Sequence, residues 1–155
     1  MKENFDSFED TKEVLKGVDA FLCCLGSRVG TGEANFRKVD FEYPLAFARL
    51  AKELGVRHFG LLTSTGADSS SMLLYMRTKG QVEEAVVAVA LPSLTVYRPG
   101  FLKNRRNDER FGETVLSWIS FMITGIESRD MGAAMIEHTL AQLRAPSALL
   151  YLSNS

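Results

Sequence analysis

RHFGLLTSTGADSSSMLLYMRTKGQVEEAVVAVA, residues 57–90, contains a short apolar run, a polar loop and a long helical pattern, in that order. The apolar run Arg57–Thr63 predicts a strand, and the small polar residues Ser64–Ser71 predict the loop that follows it. Leu73–Ala90 predicts a helix, because its valines recur at steps of three and four residues. A strand followed by a long helix is typical of a βαβ unit, in which neighbouring strands are parallel.

The rest of the chain extends this pattern. Three further apolar runs predict strands of the same sheet: Ala20–Leu25, Leu94–Arg98 and Leu149–Leu152. Four further stretches predict flanking helices: Asp10–Lys16, Ala34–Leu54, Phe111–Met122 and Arg129–Leu143. Pro44 falls inside the second of these helices and is expected to kink or divide it. The predicted fold class is α/β, a Rossmann-like parallel sheet with helices on both faces, in one domain over residues 1–155.

Composition excludes several classes of partner. With a formal net charge of -1, the 155 residues give no electrostatic reason to expect nucleic acid or an anionic membrane. No apolar run approaches the roughly 20 residues that span a bilayer, and the N-terminus lacks the apolar region of a secretory signal. The adjacent Cys23 and Cys24 have no metal-ligand spacing, so we expect no metal site and two buried thiols in a reducing, cytosolic compartment.

The candidate chemistry lies in the central stretch. Tyr75 and Lys79 are four residues apart on the predicted helix, so their side chains project from one face. A tyrosine has a reference pKa of about 10, and a cation one helical turn away favours its ionised form. Such a pair can exchange a proton with a carbonyl or alcohol oxygen. Ser64 ends the preceding strand and could hold the same oxygen, with Thr63 as the alternative. By itself, a Tyr–Lys pair at this spacing is weak evidence and is more typical of a solvated helix surface.

Four segments together resemble a known family. They are FLCCLGS (Phe21–Ser27), HFGLLTSTGADSSS (His58–Ser71), LLYMRTKGQVE (Leu73–Glu83) and VYRPGFL (Val96–Leu102). In order and spacing they are similar to the atypical branch of the short-chain dehydrogenase/reductases, and within it to the Tat-interacting oxidoreductase-like group of small NADPH-binding proteins.

This resemblance implies a site and a cofactor. Ser64, Tyr75 and Lys79 would be the catalytic residues, with Tyr75 and Lys79 also at the cofactor and Lys79 on the nicotinamide ribose. The other implied contacts to NADP(H) are Leu25, Gly26 and Ser27 on the adenosine side, and Pro99, Gly100 and Phe101 at the nicotinamide. The implied reaction is NADPH-dependent hydride transfer to a carbonyl substrate or from an alcohol, with Tyr75 as the acid.

One family feature is missing from these residues. The sequence has no GxxGxxG turn, whose backbone N–H groups hold the pyrophosphate of a dinucleotide. We therefore expect the C-terminal part of the fold only, without the first βαβαβ unit, and weak or absent cofactor binding by this chain alone.

Two alternatives to an enzyme remain. One is a non-catalytic regulatory or interaction protein on a dehydrogenase fold, for which the resemblance implies contact with nuclear transport receptors and a cytoplasmic location with the nucleus as a second compartment. The other is an inactive truncated isoform. The strand Ala20–Leu25 would lack a neighbour and has no charge or proline to discourage pairing. We therefore expect the chain to dimerise through this edge, to aggregate, or to be less stable than a full-length relative.

Overall fold

The computed structural model describes residues 9–100, 102–103, 126–145 and 148–153. Within these ranges the main sheet has four parallel strands in the order β1-β2-β3-β6. These strands are β1 (Ala20–Cys23), β2 (His58–Leu62), β3 (Leu94–Arg98) and β6 (Leu149–Ser153). Two short strands, β4 (Leu102–Lys103) and β5 (Ile126–Glu127), pair with each other. The α/β fold class and the four predicted strands are confirmed.

The helices are α1 (Glu9–Leu15), α2 (Glu33–Arg37), α3 (Tyr43–Glu53), α4 (Leu74–Ala88) and α5 (Ser128–Arg144). A 3₁₀ turn precedes α2, and a π-helical segment, Lys38–Glu42, separates α2 from α3. Pro44 stands in the first turn of α3, directly after the π-helical segment, so its missing N–H falls where the α-helical hydrogen-bond pattern is already interrupted. The predicted division of the helix 34–54 is therefore confirmed, and the predicted helix 111–122 lies outside the described residues.

One face of the sheet carries the apolar core. Strand residues that alternate toward this face, such as Phe59 and Leu61, are almost fully buried against α3 and α4. The ring of Phe21 stacks on that of Phe47 from α3 at 4.4 Å between centroids. Burying one such side chain contributes roughly 1.5–3 kcal/mol, so this layer holds the helices of the candidate site against the sheet.

The opposite face is covered by α5 and is more polar. His58 Nδ1 lies 2.9 Å from Ser93 Oγ, which donates a hydrogen bond to Gln142 of α5. Farther along, Thr95 Oγ1 lies 3.2 Å from His138 Nε2 of the same helix. Helices therefore lie on both faces of the sheet, as predicted, and α5 is fixed in part through buried polar groups.

Buried His58 predicts that stability depends on pH. Burial, with a smaller effect of His138, lowers the pKa of His58 from 6.5 to about 4. The unfolded chain takes up this proton near pH 6.5 and the folded chain only near pH 4, so stability is lost as the pH falls through that window. The expected loss is about 3 kcal/mol, and urea unfolding at several pH values from 7 to 4 measures it. His58→Gln should flatten the dependence; an equally steep loss in that variant would assign the effect to other groups.

The strand β1 lies at one end of the described sheet. Its free side has no strand partner within the described residues, and dimerisation through the edge 20–25 stays a prediction. The strand ends at Cys23, two residues earlier than predicted, because the chain turns away to Ser27, which bonds to a helix. Cys23 is buried, whereas Cys24, predicted to be buried, is exposed just past the last paired residue. None of the described helices is long and apolar enough to cross a bilayer.

Candidate active site

The loops after β2 and β3 meet at the carboxyl end of the sheet. Thr63 N–H donates to the carbonyl of Tyr97 at 2.8 Å, which extends the ladder between these two strands by one step. Thr65 N–H then donates to the carbonyl of Pro99, also at 2.8 Å. Ser64 lies between these two bonds, so its backbone is held directly beside the turn that follows β3. Ligands of parallel sheets bind at this rim.

The loop from Ser64 continues onto the first turn of α4. A turn brings Ala67 N–H to the carbonyl of Ser64 at 3.2 Å, and Asp68 N–H donates to the carbonyl of Met76 at 3.1 Å. Met76 directly follows Tyr75, so these bonds fix the loop of Ser64 against the turn that carries the tyrosine. The structure thus places Ser64, Tyr75 and Lys79 on elements that are joined at one rim.

Tyr75 and Lys79 are close in space as well as in sequence. The Lys79 ammonium lies 5.9 Å from the centroid of the Tyr75 ring, and this ring packs against Phe36 of α2 at 5.9 Å. Lys79 is buried, so its charge acts at short range with little screening by water.

A buried carboxylate that sequence reasoning missed completes this cluster. Asp40 lies in the π-helical segment, and its Oδ1 forms an ion pair with Lys79 Nζ at 2.7 Å. Its Oδ2 accepts hydrogen bonds from both the backbone N–H and the hydroxyl of Ser27, each at 2.7 Å. Asp40 therefore joins the lysine of α4 to the loop after β1. A signal was available in the sequence, since Asp40 stands four residues after the buried Phe36, the spacing of the inward helix face.

The hydroxyls of Ser64 and Thr63 differ in what they bond. Thr63 Oγ1 donates to buried Glu83 at 2.6 Å, so this hydroxyl is already engaged inside the fold. Ser64 Oγ is buried and has no hydrogen-bond partner among the described residues. A buried hydroxyl without a partner costs free energy, and a ligand oxygen at the rim would remove this cost. Of the two alternatives, the geometry favours Ser64.

The predicted cofactor residues occupy different environments. A Cβ on Gly26 would lie 3.5 Å from Asp40 Oδ1 and 3.9 Å from Lys79 Nζ, so this glycine faces the ion pair directly. Ser27 lies at the same place, but its hydroxyl is bonded to Asp40. The side chain of Leu25 packs against the apolar core.

The predicted nicotinamide residues follow β3. Pro99 is buried and Gly100 is half-buried, at the same rim as Ser64. Phe101 lies outside the described residues.

Glu83 and Arg98, which belong to two of the segments that resemble the family, contact each other. Arg98 Nε lies 3.1 and 3.2 Å from the two carboxylate oxygens of Glu83, and Arg98 Nη2 forms an ion pair with the same group. The guanidinium lies over the ring of Tyr151 at 4.6 Å. This fork joins α4 to the end of β3, and thus fixes the turn at Pro99 relative to Tyr75.

Comparison with known proteins identifies the family. No family model matches the chain. The rat protein HTATIP2 is 41% identical over 111 residues, which cover 71% of this chain and 46% of the relative. The mitochondrial protein FMP52 of Debaryomyces hansenii is 30% identical over 153 residues, which cover 89% of this chain and 68% of the relative. The chain belongs to the HTATIP2/FMP52 family. The resemblance to the Tat-interacting group is thus confirmed.

Solved structures show the same fold at lower identity. A putative NAD-dependent epimerase/dehydratase from Bacillus halodurans aligns with a TM-score of 0.68 at 20% identity, over 97% of this chain and 69% of that one. MoeE5 in complex with UDP-glucuronic acid and NAD aligns with a TM-score of 0.71 at 12% identity, over 99% and 61%. The HTATIP2/FMP52 chain therefore shares the parallel α/β fold of these proteins.

The relatives also correct one expectation. The FMP52 proteins of Debaryomyces hansenii, Candida albicans and Lodderomyces elongisporus are named as mitochondrial. The predicted cytoplasmic and nuclear location is wrong on this comparison; it relied on adjacent cysteines and on a family resemblance, neither of which carries a targeting signal. The chain spans about half to two thirds of the length of these HTATIP2/FMP52 relatives.

Proposed function

We propose that this rim is the site of an NADP(H)-dependent oxidoreductase that acts on a carbonyl or alcohol substrate. One observation carries the proposal: the buried Lys79 ammonium lies both beside the Tyr75 ring and beside Gly26, the glycine of the loop implied to contact the cofactor. A buried cation shared by a candidate proton donor and a candidate cofactor loop is what such chemistry requires.

The residues present fit a nicotinamide nucleotide at the rim. Gly26 offers backbone without a side chain next to Lys79, and Ser64 offers a buried hydroxyl that lacks a partner among the described residues. Lys79 would hold the ribose through ammonium N–H groups that Asp40 does not use, and the turn at Pro99 would border the nicotinamide. When bound, the cofactor supplies or accepts the hydride.

The chain's own residues would then handle the proton. In the direction of carbonyl reduction, Tyr75 would donate its phenolic proton to the substrate oxygen as this oxygen becomes an alcohol. The nearby Lys79 charge would stabilise the phenolate that remains. Ser64 would donate a hydrogen bond to the same oxygen and keep the carbonyl in line with the donor. NADP(H) rather than NAD(H) is proposed on the family resemblance.

A second candidate is a regulatory binding protein on the same fold. It is proposed on the family resemblance, which implies regulatory contacts with other proteins. On this alternative the rim binds a nucleotide, or a protein partner such as a nuclear transport receptor, without turnover.

Tyr75→Phe tests the enzymatic proposal. Loss of the phenolic proton is expected to lower kcat by about 10²- to 10⁴-fold, while binding of NADPH stays close to that of the unchanged chain. The assay follows NADPH oxidation against a panel of small aldehydes and ketones. Tyr151→Phe is the matched control, because it removes a hydroxyl but keeps the ring under Arg98. Equal rates for Tyr75→Phe and the unchanged chain would exclude the assigned role, and no turnover with saturable NADPH binding would favour the regulatory candidate.

A further inference from the structure

Asp40 makes more contacts with the candidate site than any role inferred from the sequence explains. It is 1% exposed, and each of its two oxygens has a different partner. Oδ1 contacts the Lys79 ammonium, and Oδ2 accepts from Ser27 twice. The carboxylate thus forms a bridge between α4 and the loop after β1.

The cost of burying these charges indicates that the bridge is specific. Two ions removed from water are stabilised only if each is paired and the remaining lone pairs are bonded. Lys79 provides the opposite charge, and Ser27 bonds the oxygen that the lysine does not. A substitution at Lys79 or at Ser27 therefore alters the environment of the other residue, because both contact the same carboxylate and this carboxylate is buried.

The backbone around Asp40 supports the same conclusion. The residue lies in a π-helical segment, and such segments are frequent at functional sites. Pro44 follows in the first turn of α3 and restrains the chain after the segment. The carboxylate is therefore presented from a backbone with little freedom to move away from Lys79.

We propose that Asp40 is a positioning residue that holds Lys79 and the loop of Gly26 and Ser27 as one unit. Its significance for catalysis rests on the function proposed above, in which Lys79 holds the cofactor ribose. The ion pair with Asp40 Oδ1 holds the Lys79 ammonium in place, beside Gly26 and the Tyr75 ring. Ser27 then serves the site by bonding Asp40, and the loop contacts a nucleotide through its backbone.

The exchange of the Lys79 ammonium protons with water tests the proposal without any need for activity. In a chain labelled with ¹⁵N-lysine, a buried and paired ammonium gives an NMR signal that exposed lysines lose through fast exchange, and Lys79→Arg assigns it. Asp40→Asn is expected to speed this exchange by about tenfold or more. Ser27→Ala, which changes only the other end of the bridge, is expected to speed it by about fivefold.

Asp68→Asn is the matched control. Asp68 accepts hydrogen bonds from the N–H and the hydroxyl of Ser70, just as Asp40 does from Ser27. Because Asp68 lies on the surface, its substitution should leave the exchange of the Lys79 ammonium protons unchanged. If the Lys79 ammonium protons of Ser27→Ala exchange as slowly as those of the unchanged chain, the proposal is overturned. This outcome decides the question even if Asp40→Asn fails to fold. The coupling observed in a chain whose turnover Tyr75→Phe leaves unchanged would leave this inference standing and refute the proposed function instead.

Discussion

Gly80→Ala is expected to destabilise the fold by about 3 kcal/mol, which approaches the effect of deleting a large core side chain. A Cβ at Gly80 would lie 2.1 Å from the backbone nitrogen of Ser69 and 2.4 Å from the carbonyl carbon of Asp68. These are backbone atoms of the loop that begins at Ser64, so they cannot rotate away as a side chain would. Either the loop is displaced from α4, which opens the candidate site, or the helix shifts.

Urea unfolding followed by circular dichroism measures this effect. Gly132→Ala in α5 is the control, because no atom lies within 4 Å of its added Cβ. The usual preference of a helix for alanine should then stabilise it by up to about 1 kcal/mol. Opposite signs for the two substitutions are the expected result. A Gly80→Ala chain as stable as the parent would show that the loop does not pack on α4 as described.

Asp40→Asn is expected to cost about 3–5 kcal/mol, because it leaves the buried Lys79 ammonium without its counter-charge. The side chain keeps its size and can still accept from Ser27, so the loss reports the charge rather than the packing. Urea unfolding near neutral pH again measures the difference in the free energy of unfolding.

The double variant Asp40→Asn with Lys79→Met distinguishes the ion pair from other causes. Removing both charges should restore a large part of the stability, since replacement of a buried pair by neutral groups is often tolerated. Additive losses from the two substitutions would mean that Asp40 and Lys79 act independently, and would contradict the short contact between them. Asp68→Asn, on the surface, should change stability little.

The sheet could be predicted from the sequence because its signals are local. Each strand is a short apolar run, and each is followed by a loop or helix with its own pattern, so Leu94–Arg98 was predicted with its observed bounds. Pro44 marked the division of a helix because its effect on the backbone is independent of tertiary context. Two residues of the motif that resembles the family have a physical explanation. Gly80 allows the backbone of the loop after Ser64 to approach α4 closely, and Glu83 bonds Arg98 at the end of β3.

The parts that were missed depend on contacts between distant residues. Asp40 was not recognised, because its spacing from Phe36 indicates only an inward-facing residue, and nothing in the sequence connects it to Lys79, 39 positions later. The early end of β1 follows from the same residue, which bonds Ser27. Thr63 and Ser64 could not be told apart, since what separates them is the contact of Thr63 with Glu83, twenty residues away.

A titration of NADPH, followed by its fluorescence, tests most directly whether this rim binds a nicotinamide cofactor. The account predicts saturable binding in the micromolar range or weaker, because the sequence has no GxxGxxG turn for the pyrophosphate. Gly26→Leu should abolish it by filling the space beside Lys79 and Asp40, whereas Gly30→Leu, whose added Cβ meets no atom within 4 Å, should leave it unchanged. Saturable binding that Gly26→Leu does not alter would contradict the assignment of the cofactor to this rim.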